Sequence, residues 1–334
     1  MLSSPRLTRA PATRSLATRP NVTCSADEHA GARKRGPAVP QAAQRSDVGL
    51  SSLLGAPTTQ QRAAVAQEPA LPPATVLLGA GAAFTAVAAN EFAPPSAPHL
   101  LQHLDASVHA WVSSSSAAWS AELQGLLAGK LVSDASIACG LAGWLGVAAV
   151  AVSARSPRLA GLLGLSSAAY CLGGGRMWRA DPALVDTLKQ AFHRVRPSEH
   201  HHTYAFPSGH TTAAAFICGT LLFVLLPAAL QVVEEQQQQQ QEGRSAPGEH
   251  NAAQRTAAWL VERRWQLCSA GVATTAAGRL LADVHWCSDV LAGACLGTAL
   301  TAGLALLCGV PDMNSGAAGP ASAAAEAPQA SRRR

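Results

Sequence analysis

Charge is the scarcest property of this chain. Of its 334 residues only 13% are Asp, Glu, Lys or Arg, about half the share of an ordinary soluble domain, which argues against a freely soluble, charge-coated enzyme. The excess of base is small too. Lys and Arg together number 25, the net charge is +5, and many of the cations lie in the first 45 residues, so nucleic acid is not an expected partner. None of the eight cysteines (Cys24, Cys139, Cys171, Cys218, Cys268, Cys287, Cys295, Cys308) belongs to a CxxC pair and their spacing is irregular. A disulfide framework or zinc site is therefore not expected, and most of these thiols read as small buried hydrophobes. Clustered carboxylates able to hold magnesium are missing as well, and no acid occurs before Asp27.

An acid-free opening rich in Ser, Thr, Ala and Arg has the composition of a transit peptide. It lacks the apolar core of a secretory signal, which favours a plastid membrane as destination, with mitochondrial or other endomembranes as alternatives. Residues 1–73 are expected to form an unfolded leader. From Ala74 the composition changes, and apolar runs begin at about 74, then 131–153, 158–175, 209–233, 266–282 and 288–310, each near the roughly 20 residues that span a bilayer. The expectation is an all-α integral membrane bundle of about six transmembrane helices, over 74–310. Between the first two runs, Leu101, Leu104, Val108 and Trp111 recur at helical spacing, the pattern of an interfacial amphipathic helix or of core packing. Residues 234–257, Gln-rich and polar, read as a disordered insert, and 311–334 as a disordered tail.

Six spans place the third-to-fourth and fifth-to-sixth loops on one face. Arg155, Arg158, Arg263, Arg264 and Arg332 to Arg334 fall on the other, as expected for a cytosolic or stromal side. The first of the two opposite loops holds Lys189, Arg194, Arg196-Pro197, three consecutive histidines at 200–202, and Pro207-Ser208-Gly209-His210. The second holds Arg279, Asp283, His285 and Asp289. A phosphoryl group in transfer spreads charge over three oxygens and calls for several cations and N–H donors around it. Lys189, Arg196 and Arg279 supply the cations, and Ser208 and Gly209 stand where a loop enters a helix and leaves amides open. His285 and Asp289, four apart, share a helical face on which the carboxylate receives Nδ1–H and leaves Nε2 as nucleophile. His210 is then the general acid. His200, His201 and His202 read as plain loop, Arg176, Trp178 and Arg179 as interfacial anchors, and Arg194 as either a phosphate rim or a surface charge.

Three blocks emerge: K-x6-R-P from Lys189 to Pro197, PSGH over 207–210, and R-x5-H-x3-D from Arg279 to Asp289. In order and spacing they resemble the signature of the type 2 phosphatidic acid phosphatase and vanadium haloperoxidase superfamily. The resemblance implies a helical core, phosphate binding by Lys189, Arg196, Ser208, Gly209 and Arg279, and catalysis by His285, Asp289 and His210; the arrangement of these residues itself calls for no cofactor or metal. Gly278 stands where the family usually has Ser, and Cys287 where it usually has Pro. Asp283 adds a negative charge that either faces the phosphate or pairs with an arginine. The function expected is hydrolysis of phosphatidate or a related lipid phosphate in the bilayer. Polyprenyl diphosphate hydrolysis, vanadate-dependent halide oxidation and a non-catalytic membrane binding role are the alternatives.

Overall fold

In lipid, backbone N–H and C=O groups must be satisfied within the segment itself, so long runs of Ala, Leu, Val and Gly cross as helices. Every regular element among the described residues of the computed structural model is a helix. Those residues are 70–94, 96–116, 120–174, 183–198, 203–241 and 252–314, all within one compact unit, Ala63–Arg334. The expected transit peptide, the anchors Arg176, Trp178 and Arg179, the three histidines at 200–202 and nearly all of the tail lie outside the described residues.

In chain order the helices are α1 (Pro73–Glu91), α2 (Leu100–Ser116), α3 (Glu122–Ser153), α4 (Pro157–Ala169), α5 (Ala183–Phe192), α6 (Gly209–Gln239), α7 (Ala252–Glu262), α8 (Arg264–Leu281) and α9 (Cys287–Leu307). Their starts are legible in local chemistry. At α4, Ser156 accepts the amide of Leu159 at 3.3 Å and Pro157 sits in the first turn, where its missing N–H costs nothing. At α9, Asp289 in the first turn reaches back to the amide of Trp286 at 2.9 Å.

The protein is an all-α membrane bundle. Four helices, α1, α3, α6 and α9, are long and apolar enough to cross a bilayer. The two further expected spans are helices as well, but fall short of that standard. α4 continues only through a wider turn to Gly174, where description stops, and α8 carries Arg264 and Arg279 near its two ends. Arg264, expected as a loop charge, is buried with its guanidinium over Phe223 at 5.6 Å.

Two expectations change on α2 and α6. α2 exists, but it buries Val112 and the carboxylate of Asp105, while Leu104 and Trp111 of the anticipated apolar stripe face outward. An exposed Leu and Trp on a helix beside a bilayer suit the lipid interface; the buried face is chosen by what Asp105 binds. The Gln-rich segment is not without order at its ends. Helical structure runs on to Gln241, and α7 covers 252–257, leaving only 242–251 outside the described residues. Glu and Gln are good helix formers, and a helix already nucleated in the bundle extends at little cost. The side-chain amide of Gln236 also donates to the carbonyl of Ala154 at 3.0 Å.

α6 is the most enclosed helix, packed by α9, α8 and α3. Lipid supplies no hydrophobic drive between helices, so association depends on close approach. At Gly293 and Gly297, a GxxxG pair on α9, an added Cβ would stand 2.5 Å from the carbonyl oxygen of Ser208 and 2.4 Å from that of Thr212. α9 therefore lies directly on the backbone of α6. A phenylalanine cluster supports the loop ahead of α6: the ring of Phe206, fully buried, lies 4.9 Å from Phe192, 5.3 Å from Phe92 and 5.9 Å from Phe84. These contacts bring the end of α5, the start of α6, the end of α8 and the start of α9 to one end of the bundle.

Candidate active site

His285 precedes α9 and is 3% exposed. Its Nδ1 lies 3.3 Å from Oδ2 of Asp289, and its Nε2 lies 3.3 Å from Nη1 of Arg196. This pairing fits a neutral ring with hydrogen on Nδ1 and a lone pair on Nε2. Burial pushes the imidazole well below its ordinary value, and Arg196, Arg279, Lys189 and His210 push it further the same way. Thus four groups from α5, the following loop, α6 and α8 all act on one ring.

Arg196 is held by the backbone, donating to the carbonyls of Val284 and Thr203, each at 2.9 Å. Arg279 donates to the carbonyl of Gly129 at 3.4 Å, and its Nε–H is buried without a hydrogen-bond partner. Lys189, near the end of α5, brings Nζ to 3.9 Å from where a Cβ on Gly209 would stand. Gly209 begins α6. Ser208 caps that helix in position only, since its side chain makes no capping bond, so first-turn amides are left for another acceptor. The amide of Ser208 itself is not one of them: it donates to the carbonyl of Asp289 at 3.0 Å. Its hydroxyl accepts from Thr211 at 3.1 Å and keeps its own hydrogen to give. His210 is nearly half exposed, with Nε2 at 3.6 Å from Oδ1 of Asp134, a carboxylate on α3 that sequence reasoning did not single out.

All eight residues expected from the sequence thus lie at this one end of the bundle. Arg194 is neither rim nor surface charge. Its side chain is 11% exposed and pairs with Asp289, Asp105 and Glu91, each at 2.7 Å. Among the described residues Asp283 pairs with no arginine; its Oδ1 lies 2.8 Å from Nδ1 of His109 on α2. Glu91, Asp105, Asp134 and Ser288 were missed because their partners come from distant helices and no spacing announces them.

Residues 158–308 match the sequence model of the PAP2 superfamily. Over this stretch, a little under half of its length, the chain is similar to the PAP2 superfamily. The solved structure titled as the first transmembrane PAP2 type phosphatidylglycerolphosphate phosphatase from Bacillus subtilis is similar at 15% identity and a TM-score of 0.43, covering 70% of this chain and 94% of that one. A comparison with curated proteins gives no match. The PAP2 match begins after α3, so α1 and α2, which supply Glu91 and Asp105, lie ahead of it.

The departure from the PAP2 pattern at Gly278 has a steric cause. A Cβ there would stand 2.7 Å from the amide nitrogen of Ser133 and 2.8 Å from the carbonyl oxygen of Ala128, neither of which can rotate away. Ser133 fills the space and donates its hydroxyl to Ala128 at 2.8 Å. Gly278→Ser, although it installs the family's usual residue, is expected to destabilise the protein by about 3 kcal/mol through overpacking. A lower unfolding temperature in detergent, with no gain in activity, is the expected reading; unchanged stability would contradict it.

Proposed function

We propose that this protein is a membrane phosphatase that hydrolyses phosphatidate or a related lipid phosphate through a phosphohistidine on His285, without a metal. The carrying observation is the placement of the His285 ring, between the carboxylate of Asp289 and a set of cations. Three positive side chains around a buried neutral imidazole leave a field that an anion neutralises, and an unpartnered guanidinium N–H on Arg279 is a donor in reserve.

In this reading, Nε2 of His285 attacks phosphorus as the ester P–O bond breaks, and His210 protonates the departing alkoxide. Water then attacks the phosphorus of the phosphohistidine, His210 takes its proton, the P–N bond breaks and inorganic phosphate leaves. Lys189, Arg196 and Arg279 carry the charge on the phosphoryl oxygens. Ser208 contributes its hydroxyl and Gly209 its amide. Asp134 lies beside His210, its Oδ1 3.6 Å from Nε2. Since the site lies at one end of a membrane bundle, the substrate is a lipid whose head group reaches that end. The acid-free, Arg-rich leader supports a plastid membrane as its address.

The test is phosphate release by purified protein across lipid monophosphates and prenyl diphosphates, with and without EDTA. Release from phosphatidate or another lipid monophosphate that survives chelation is expected. Turnover confined to prenyl diphosphates would move the substrate to the diphosphate class, and loss in EDTA would overturn the metal-free mechanism. Halide oxidation with added vanadate in place of any phosphate release would overturn the assignment as phosphatase.

A further inference from the structure

Behind Asp289 lies a set of buried charges that the mechanism above leaves unused. Nη1 of Arg194 donates to Oδ1 of Asp289 at 2.7 Å and to the hydroxyl of Ser288. Nη2 of Arg194 donates to Oδ2 of Asp105 and pairs with Oε1 of Glu91, both at 2.7 Å. Asp105 in turn takes the amide of Ser288 on Oδ1 at 2.9 Å and its hydroxyl on Oδ2. Residues from α1, α2, the loop after α5 and the first turn of α9 are joined in this way. The two oxygens of Asp289 are divided by it: Oδ1 belongs to Arg194, while Oδ2 accepts the amide of Trp286 at 2.9 Å and faces Nδ1 of His285. The guanidinium also lies 5.5 Å from the ring centre of Trp286.

Three carboxylates share one guanidinium here, all of them nearly inaccessible to solvent. Desolvation makes such a set a poor device for stability alone, since a well-packed apolar replacement often does as well. What it does achieve is geometric. With Oδ1 taken by a rigid fork, the carboxylate cannot turn, and only Oδ2 is presented to the histidine.

We propose that Arg194, clamped by Asp105 and Glu91, is a positioning residue that fixes Asp289 against Nδ1 of His285 and so aims Nε2 at the phosphate. This rests on the reading of His285 as nucleophile. It also gives α1 and α2, outside the matched PAP2 region, a part in catalysis.

Charge separates this role from a merely structural one. His285 is faced by Lys189 on α5, Arg196 in the loop, His210 on α6, Arg279 on α8 and Asp289 on α9, with Glu91 and Asp105 acting from α1 and α2 through Arg194. The Asp283 and His109 pair flanks it two residues upstream. Arg194→Gln removes a positive charge from behind Asp289, which favours imidazolium and moves the acid limb of kcat/KM up by about 0.5–1 pH unit. Asp105→Asn removes a negative charge and moves the limb down by a similar amount. Arg194→Lys keeps the charge and loses the fork, so kcat falls about tenfold or more with KM and the limb unchanged.

The experiment combines pH profiles of phosphate release from phosphatidate with NMR titration of His285 in histidine-labelled protein in detergent. The His285 signal is assigned by its loss in His285→Ala. Opposite shifts in Arg194→Gln and Asp105→Asn are the expected result. Shifts of the same sign, or none in folded variants, would overturn the proposal, as would full kcat in Arg194→Lys. If wild type releases no more phosphate than His285→Ala from any lipid phosphate, the phosphatase reading fails, and the NMR titration still decides the positioning role separately.

Discussion

His285→Ala reduces phosphate release from phosphatidate by at least about 10⁴-fold, to the background of the assay. A covalent route has no substitute for its nucleophile, and removing one member of such a unit costs nearly as much as removing all of it. The residual rate comes from a cradle of cations that binds phosphate but cannot accept it. Folding should be retained, because among the described residues the ring makes two polar contacts, at 3.3 Å each, to Asp289 and Arg196. Wild type carries a further signature. A neutral ring is the reactive form, and burial with the nearby cations holds His285 below the ordinary imidazole value of 6.5. Activity should therefore persist below that pH and fall only as the ring becomes protonated. Bound phosphate neutralises Lys189, Arg196 and Arg279, so the acid limb of kcat should lie above that of kcat/KM. Unchanged release by His285→Ala in detergent micelles would refute the mechanism.

The gathering of the eight candidate residues at one end of the bundle was legible because they sit in three short blocks whose spacing survives as geometry. His285 and Asp289 are four apart and meet across the first turn of α9. PSGH marks a loop entering a helix, and α6 does begin at Gly209. What could not be read were contacts made across the bundle. Asp105 looked like one polar residue on an amphipathic helix, and Arg194 like a loop cation, until the fold placed them 2.7 Å apart behind Asp289. Asp283 had several cations within sequence reach and took a histidine from α2 instead. The same limit applies to the spans. Apolar composition located six runs, but whether α8 crosses alone or leans on α3 and α6 depends on its neighbours, because the residues it buries fully are Arg264, Thr275 and Gly278 rather than large hydrophobes. The Gln-rich segment shows the reverse error: composition suggested no structure, yet a helix already formed carries it to Gln241.

Gly297→Leu abolishes the folded bundle, and Gly297→Ala alone is enough to cripple it. In an exposed helix, replacing Gly by Ala gains about 0.8–1 kcal/mol. Here the added Cβ would meet the carbonyl oxygen of Thr212 at 2.4 Å and the Cβ of Ala215 at 2.6 Å. Neither atom belongs to a rotatable chain end, so the helices must separate, and the overpacking cost of roughly 1–3 kcal/mol or more exceeds the propensity gain. Separation also reaches the chemistry. The amide of Ser208 donates to the carbonyl of Asp289 at 3.0 Å, and this bond registers the start of α6, proposed to bind phosphate, against the histidine-bearing start of α9. Moving α9 outward by even 1 Å breaks that registry, and misplacement on that scale costs about 10²-fold in rate. Gly146→Ala on α3, where an added Cβ meets nothing within 4 Å, is the control and should hold or slightly raise the unfolding temperature. Thermal unfolding and phosphate release in detergent should then fall together for Gly297→Ala and stay intact for Gly146→Ala. A stable, active Gly297→Leu protein would show that the close crossing of α6 and α9 does not organise the site.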